Sequence, residues 1–242
     1  MPSVMELLPL LLGGYVAATI SGAAGFGGAL LLLPLLSHLL GAKAAVPVLT
    51  VAQLLGNLSR VYLGRREVQW RPALLFCLGA VPLSVLGALL FASAPAPWLQ
   101  RGIGAFLLLV VALRHTKLGG KPIPENALAP AGAGVGLLSA LAGSAGPLGA
   151  AVFLSLGLTR TAYVATEAVT AVAMHLTKTA VYGKYALLSP RSLVIGLLLG
   201  SAMWLGSWTG KRLIERLDEK RFALLVEVLL LVSALLLVIG AG

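Results

Sequence analysis

Charged residues are scarce in this sequence: Asp, Glu, Lys and Arg together make up 11% of its 242 residues. Soluble domains carry about 25%, and a chain with so few charges could not cover its own surface with polar groups. Hydrophobic residues make up 59%, and runs such as 73–91 and 222–239 approach the length of about 20 residues that crosses a hydrocarbon core. The composition therefore predicts an integral helical membrane protein, with the lipid bilayer as its partner.

Acidic residues and cysteine are the rarest reactive groups, with 8 Asp and Glu, 18 Lys and Arg, and Cys77 alone. The net charge of +10 fits Lys and Arg in cytoplasmic loops, so no nucleic-acid partner is expected. A lone cysteine excludes an intramolecular disulfide. No metal-ligand cluster, phosphate-binding loop, nucleophile elbow or zinc-protease motif occurs. We therefore expect no metal, no cofactor and no enzyme activity.

Ten apolar segments divide into two halves around the polar stretch 114–126. They are 4–21, 28–41, 44–63, 72–91 and 98–113 in the first half, and 127–142, 147–157, 162–182, 190–209 and 222–240 in the second. At a constant offset of 118 residues Arg60 pairs with Lys178, and GFGGA at 25–29 falls near the register of GSAGP at 143–147. Paired polar positions inside apolar segments indicate an internal duplication.

Loop charges predict how the two halves are oriented. If each glycine-broken stretch crossed the membrane once, eight Lys and Arg would lie on each side. If each stretch returns to its own face, twelve lie on one side and four on the other, as the positive-inside rule expects. Each half then has five segments. Because five is an odd number, the second half has the opposite orientation in the membrane to the first. The predicted fold is an all-α integral membrane protein with two inverted repeats, 1–121 and 122–242, in one transport domain. Each repeat has a glycine-broken re-entrant or half-helix pair plus three transmembrane helices.

The glycine clusters predict a binding site. A helix break inside a membrane frees backbone N–H and C=O groups, which only protein or a polar cavity can satisfy. Two breaks that meet near the midplane are typical of the substrate site of a secondary transporter, and helix N-termini favour an anion. Close helix packing is the alternative explanation of the glycines. The predicted site residues in these stretches are Gly25, Gly27, Gly28, Gly143, Ser144 and Gly146.

Polar side chains inside the spans are the second indication of a site. Arg60 and Lys178 would supply the countercharge for an anion if they face a cavity; the alternative is that they extend to the membrane interface. Hydrogen bonds from Gln53, Asn57, Thr170 and His175 would complete the substrate site. Glu167 and His175 are eight residues apart on one helix face, so they are either a proton-carrying pair or a pair of structural hydrogen bonds.

Several motifs resemble the TauE/SafE family of sulfite exporters. They are GFGGALLLLP at 25–34 followed by Lys43, GSAGP at 143–147 with GLTR at 157–160, and the final Gly210 to Phe222 pattern. The resemblance spans nearly the whole chain. It implies a multi-pass carrier in the inner membrane of a bacterium or archaeon, which moves sulfite, sulfoacetate or related small sulfur-containing anions, generally outward.

The residues and the resemblance together predict a secondary transporter that works by alternating access. An anion channel built on the same helix breaks is one alternative, distinguished by conductance that does not saturate. A membrane-embedded enzyme acting on a lipid phosphate is the other. It would need an acidic residue beside the helix breaks, and no Asp or Glu lies near either glycine-rich stretch. The sequence leaves a homodimer open.

Overall fold

A computed structural model describes residues 4–24, 28–95, 123–143, 145–216 and 218 of the chain. The regular elements in these ranges are all helical, with no strand among them. The α-helices are α1 (Val4–Ala24), α2 (Ala29–Leu40), α3 (Ala42–Gly64), α4 (Trp70–Ser93), α5 (Leu128–Ala142), α6 (Gly146–Leu154), α7 (Arg160–Lys184) and α8 (Pro190–Arg216). A short 3₁₀ turn, Glu125–Ala127, precedes α5. The all-helical prediction is therefore confirmed for this part of the chain.

Three helices in the described part of the chain are long and apolar enough to cross a membrane. They are Lys43–Gly64 in α3, Trp70–Ser93, which is α4, and Pro190–Leu213 in α8. A shorter apolar stretch, Leu7–Ile20, lies in α1. The predicted segments 98–113 and 222–240 fall outside the described residues. These helices agree with the membrane protein that the composition predicts.

Helices end and begin at both glycine-rich stretches. In the first half α1 ends at Ala24 and α2 begins at Ala29. In the second half Gly143 ends α5 with φ +79, a left-handed conformation that glycine adopts without strain from a Cβ. The next helix, α6, begins at Gly146 with a proline in its first turn, where the missing N–H costs no hydrogen bond. The second break therefore follows from local sequence.

Helix α4 of the first half packs on helices of the second half, and helix α8 of the second half packs on helices of the first. Helix α4 packs chiefly on α5 and α7, and α8 packs chiefly on α1 and α3. Small residues allow this close approach: a Cβ on Gly136 would overlap the carbonyl group of Ala80, and one on Gly206 would overlap the carbonyl oxygen of Tyr15. For these glycines close packing is the sufficient explanation.

Candidate functional site

Two helices from different halves bring their polar faces together. Gln53, Asn57 and Arg60 are spaced by four and three residues on α3, so they share one face. Helix α7 packs on α3 and buries Glu167 and other polar side chains. Since ionisable side chains inside a membrane protein are costly to bury, the meeting of these two faces marks a candidate site.

A small polar cavity lies where these faces meet. Its volume is about 10 Å³, close to the room that one water molecule requires. Helices α5 and α6 close it on the other sides. Its polar side chains and wall glycines are Gln53, Asn57, Arg60, Ser139, Gly146, Gly149, Glu167, Thr170 and His175. Seven of the residues predicted from the sequence as substrate-binding or proton-coupling are thus brought together at one place.

Several polar atoms at this cavity have no hydrogen-bond partner. Within the described residues, five buried side-chain nitrogen or oxygen atoms are in this condition. Four of them belong to residues that line the cavity: Gln53 Nε2, Arg60 Nη1, Glu167 Oε2 and His175 Nδ1. Buried polar atoms are almost always hydrogen-bonded in folded proteins. Arg60 Nη1 and Glu167 Oε2 face each other as an ion pair. Gln53 Nε2 and His175 Nδ1 have no partner among the described residues, and they indicate a place for a polar ligand.

Arg60 is held at the cavity by two neighbours. Its Nη1 lies 3.3 Å from Glu167 Oε2, and both side chains are only 4% exposed. Its Nη2 donates a hydrogen bond to Asn57 Oδ1, while Asn57 Nδ2 donates to the carbonyl oxygen of Gln53 at 2.8 Å. The guanidinium of Arg60 thus joins α3 to α7 and lies, buried, on the cavity wall.

Lys178 has a different environment, although the sequence pairs it with Arg60. It is fully buried, and its Nζ donates to Ser139 Oγ at 2.9 Å and to the carbonyl oxygen of Ser139 at 3.2 Å. The carbonyl oxygen of Gly143 lies 3.5 Å from the same nitrogen. These carbonyls are at the C-terminal end of α5, where a cation is favourable. Lys178 therefore secures the end of this helix and does not line the cavity.

The predicted glycines are divided between different surroundings. Gly146 lines the cavity at the start of α6. Gly143 lies at the end of α5 against Val46. Gly28 packs so closely on the backbone of Ala17 that a Cβ there would overlap it. Gly25, Gly27 and Ser144 lie outside the described residues.

Among the polar side chains and glycines of the cavity wall, Ser139 and Gly149 were not predicted from the sequence. Ser139 is the only hydroxyl residue of α5 and lies one helical turn before the break at Gly143. That position was a usable signal. The sequence contains no such signal for Gly149, because its place at the cavity depends on contact with a distant residue. A Cβ at Gly149 would lie 3.9 Å from Glu167 Oε1.

A sequence model of the family described as Sulfite exporter TauE/SafE matches residues 10–237. The match covers nearly the whole chain, including all the residues of the polar cavity. The chain belongs to the TauE/SafE family. The predicted family resemblance is thus confirmed. Neither the comparison with curated proteins nor the comparison with solved structures finds a match.

Membership of the TauE/SafE family gives the chain a functional class. The family consists of membrane exporters of sulfite and related sulfur-containing anions, so this chain is a membrane transport protein. Among the residues that the structure describes, no group of His, Cys, Asp and Glu could hold a metal ion. In this TauE/SafE protein the ion pair on the cavity wall is formed by Arg60 and Glu167.

Proposed function

We propose that this protein is a secondary transporter that exports sulfite, sulfoacetate or a related small sulfur-containing anion from a bacterial or archaeal cell by alternating access. The observation that carries the proposal is the state of the buried polar groups at the cavity. Gln53 Nε2 and His175 Nδ1 have no hydrogen-bond partner among the described residues, and Arg60 Nη1 faces only the Glu167 carboxylate, 3.3 Å away. An SO₃ group presents three acceptor oxygens, and a guanidinium binds such groups through charge-assisted hydrogen bonds. The start of α6 at Gly146 adds the positive end of a helix dipole.

The size of the cavity supports a site that opens and closes. A volume of about 10 Å³ is close to that needed for a single water molecule, and a sulfite ion is larger. Substrate binding then requires α3 and α7 to separate, which would also lengthen the Arg60–Glu167 distance. This coupling of substrate binding to helix movement is what alternating access requires.

We also propose that the chain consists of the two inverted repeats predicted at 1–121 and 122–242. Helices α3 and α7 begin 118 residues apart, at Ala42 and Arg160. The reciprocal packing of α4 on α5 and α7, and of α8 on α1 and α3, supports a twofold relation between the halves.

Contacts within each half support re-entrant helix pairs. In the first half, Gly13 of α1 lies against Leu32 and Leu35 of α2, whereas Gly28 lies against Ala17. Helix α2 therefore runs back along α1. Such a pair brings the chain back to the face from which it came, as the distribution of Lys and Arg predicts.

The second half has the same kind of contact around one phenylalanine. Gly132, near the start of α5, packs on the backbone of Phe76. The ring of Phe153, near the end of α6, lies 5.0 Å from the Phe76 ring. The beginning of one helix and the end of the next are thus close to the same residue, which supports a second re-entrant pair.

Transport in proteoliposomes tests the proposed function. The purified protein would be assayed with sulfite, thiosulfate, sulfate, sulfoacetate and a carboxylate control. We expect saturable transport of a sulfur oxyanion, and its loss in Arg60→Gln. The matched control is Arg71→Gln, since Arg71 forms an exposed ion pair with Glu125 and should transport normally. Flux that rises without saturation would identify a channel, and equal transport by both variants would remove Arg60 from the site.

A further inference from the structure

A second and much larger cavity lies next to the polar cavity, on the side where Arg65, Arg66 and Lys211 are found. We call this side the basic face of the protein. The volume of this second cavity is about 480 Å³, and we call it the basic chamber. The end of α3, the first turns of α7 and the last turns of α8 surround it. Its charged residues are Arg60, Arg65, Arg66, Glu67 and Lys211. Four cations and one carboxylate give this cavity an excess of positive charge.

Arg60 belongs to the walls of both cavities. The basic chamber reaches it from one side, and the polar cavity lies on the other. Because Arg60 is tied to Asn57 and Glu167, its guanidinium separates the two spaces. Its Nη1 is buried and lies 3.3 Å from Glu167 Oε2 without a well-aligned hydrogen bond, so a ligand that reaches Arg60 has to displace only this one carboxylate.

The inference rests on the proposed function and extends it to the route of the substrate. We infer that the basic chamber is the entrance through which a sulfur-containing anion reaches Arg60 from the basic face of the protein, and that the Arg60–Glu167 ion pair closes the inner end of this chamber.

Charge and volume both support this role. A cleft lined by one sign of charge raises the local concentration and association rate of the opposite ion by about 10- to 1,000-fold. The chamber of about 480 Å³ also has room for an organosulfonate with water around it, whereas the polar cavity does not. An anion that arrives at Arg60 competes with the Glu167 carboxylate for the same guanidinium. Since Lys and Arg collect on the cytoplasmic side, loading through this chamber corresponds to export.

Thiol labelling tests the chamber directly. In a Cys77→Ser background, a cysteine is placed in the chamber wall by Thr161→Cys or, as a second variant, by Leu63→Cys. The control is Ser93→Cys. Ser93 is an exposed hydroxyl residue at the C-terminal end of α4 and is not part of the chamber wall. Each variant in oriented vesicles is treated with methanethiosulfonate reagents of equal size, one carrying a sulfonate and one a quaternary ammonium group.

We expect the chamber cysteines to react from the basic face only, and at least about tenfold faster with the sulfonate reagent. Added sulfoacetate should slow that reaction. Ser93→Cys should react from the other face without this preference. Equal rates with both reagents, or reaction of the chamber cysteines from both faces, would show that the chamber is not the entrance for the anion.

A second arm tests the ion pair as the inner closure. Ala171→Cys places a thiol in the polar cavity, whose wall includes Ala171. It should react slowly while Arg60 and Glu167 are paired, and at least about tenfold faster after Glu167→Gln, since tenfold is the low end of electrostatic effects on access. If Glu167→Gln expresses poorly, Glu167→Asp shortens the carboxylate arm instead. Glu125→Gln, which breaks the exposed ion pair, is the matched control and should change nothing. If Ala171→Cys is labelled at the same rate with and without Glu167→Gln, the ion pair does not close the inner end of the chamber.

These results separate the inference from the proposed function. Labelling needs no transport, so failed labelling in a protein that carries sulfite would overturn the chamber alone. Charge-selective labelling from one face, in a protein that carries none of the sulfur anions, would overturn the proposed substrate class instead.

Discussion

Arg60 Nη1 lies 3.3 Å from Glu167 Oε2, and both side chains are 4% exposed. The two residues belong to α3 and α7, so one buried ion pair joins the two halves of the chain at the polar cavity. Removal of one partner from such a pair leaves a buried charge without compensation, at a cost of about 3–5 kcal/mol. The same relationship therefore affects both stability and substrate binding.

Glu167→Gln should lower the stability of the protein by about 3–5 kcal/mol, because an arginine cannot lose its charge by deprotonation. Sulfoacetate should then raise the melting temperature more in this variant than in the wild type, since the anion supplies the missing countercharge. Thermal unfolding in detergent measures both effects. Glu125→Gln, at the exposed pair with Arg71, should cost about 1 kcal/mol or less. Equal ligand stabilisation in wild type and Glu167→Gln would contradict the role of Arg60 as the binding cation.

Binding of a sulfonate should strengthen as the pH falls through the titration of Glu167. A protonated carboxyl is neutral and no longer competes with the anion for Arg60, whereas a sulfonate stays ionised throughout. The other charged or titratable groups at this place are Arg60 from α3 and His175 and Lys178 on α7; in their described parts, α5 and α6 contribute none.

Sulfoacetate affinity measured over a pH series tests this dependence. Glu167→Gln should bind with an affinity that no longer depends on pH, because it mimics the protonated state. His175→Gln should keep the dependence. If the dependence is lost in His175→Gln and kept in Glu167→Gln, the proton-sensitive group is the histidine.

Lys178→Met should destabilise the protein more than it changes substrate affinity. The substitution removes the cation bound to the Ser139 and Gly143 carbonyls, and buried groups left without a partner cost about 1–3 kcal/mol. Arg60→Lys should show the opposite balance, with a raised KM for sulfite and a smaller loss of stability. The two variants are compared by thermal unfolding and by transport kinetics. Normal stability with lost binding in Lys178→Met would instead place Lys178 in the substrate site.

Two glycines of α5 should respond in opposite directions to the same substitution. A Cβ at Gly136 would overlap the carbonyl group of Ala80, whereas one at Gly134 meets no atom within 4 Å. Gly136→Ala should therefore lower the melting temperature by forcing α4 and α5 apart. Gly134→Ala should keep or raise it, because alanine is favoured over glycine in a helix by about 1 kcal/mol. Similar melting temperatures for the two variants would show that close packing of α4 on α5 contributes little.

Local signals were enough to predict the helix ends at the second glycine-rich stretch. The left-handed conformation at Gly143 and the proline at the start of α6 are properties of the residues themselves. Helical spacing is likewise enough to put Gln53, Asn57 and Arg60 on one face of α3. These predictions depend on neighbours within about one or two turns of the chain, which the sequence displays directly.

The different surroundings of Arg60 and Lys178 could not be predicted in this way. They are 118 residues apart, the offset predicted to relate the two halves, yet one is paired with Glu167 and the other binds the end of α5. In a chain where most helix faces are apolar, hydrophobic pattern does not show which face meets which neighbour.

Composition, apolar runs and glycine-rich motifs are local properties, and they were sufficient to identify a helical membrane protein of the TauE/SafE family. Helix packing was needed to show that Glu167 faces Arg60, that Lys178 secures a helix end, and that Arg60 lies on the walls of both the polar cavity and the basic chamber. Each of these relationships joins side chains more than 30 residues apart in the chain. Their proximity results from contacts between helices, which small residues such as Gly136 and Gly206 make close enough.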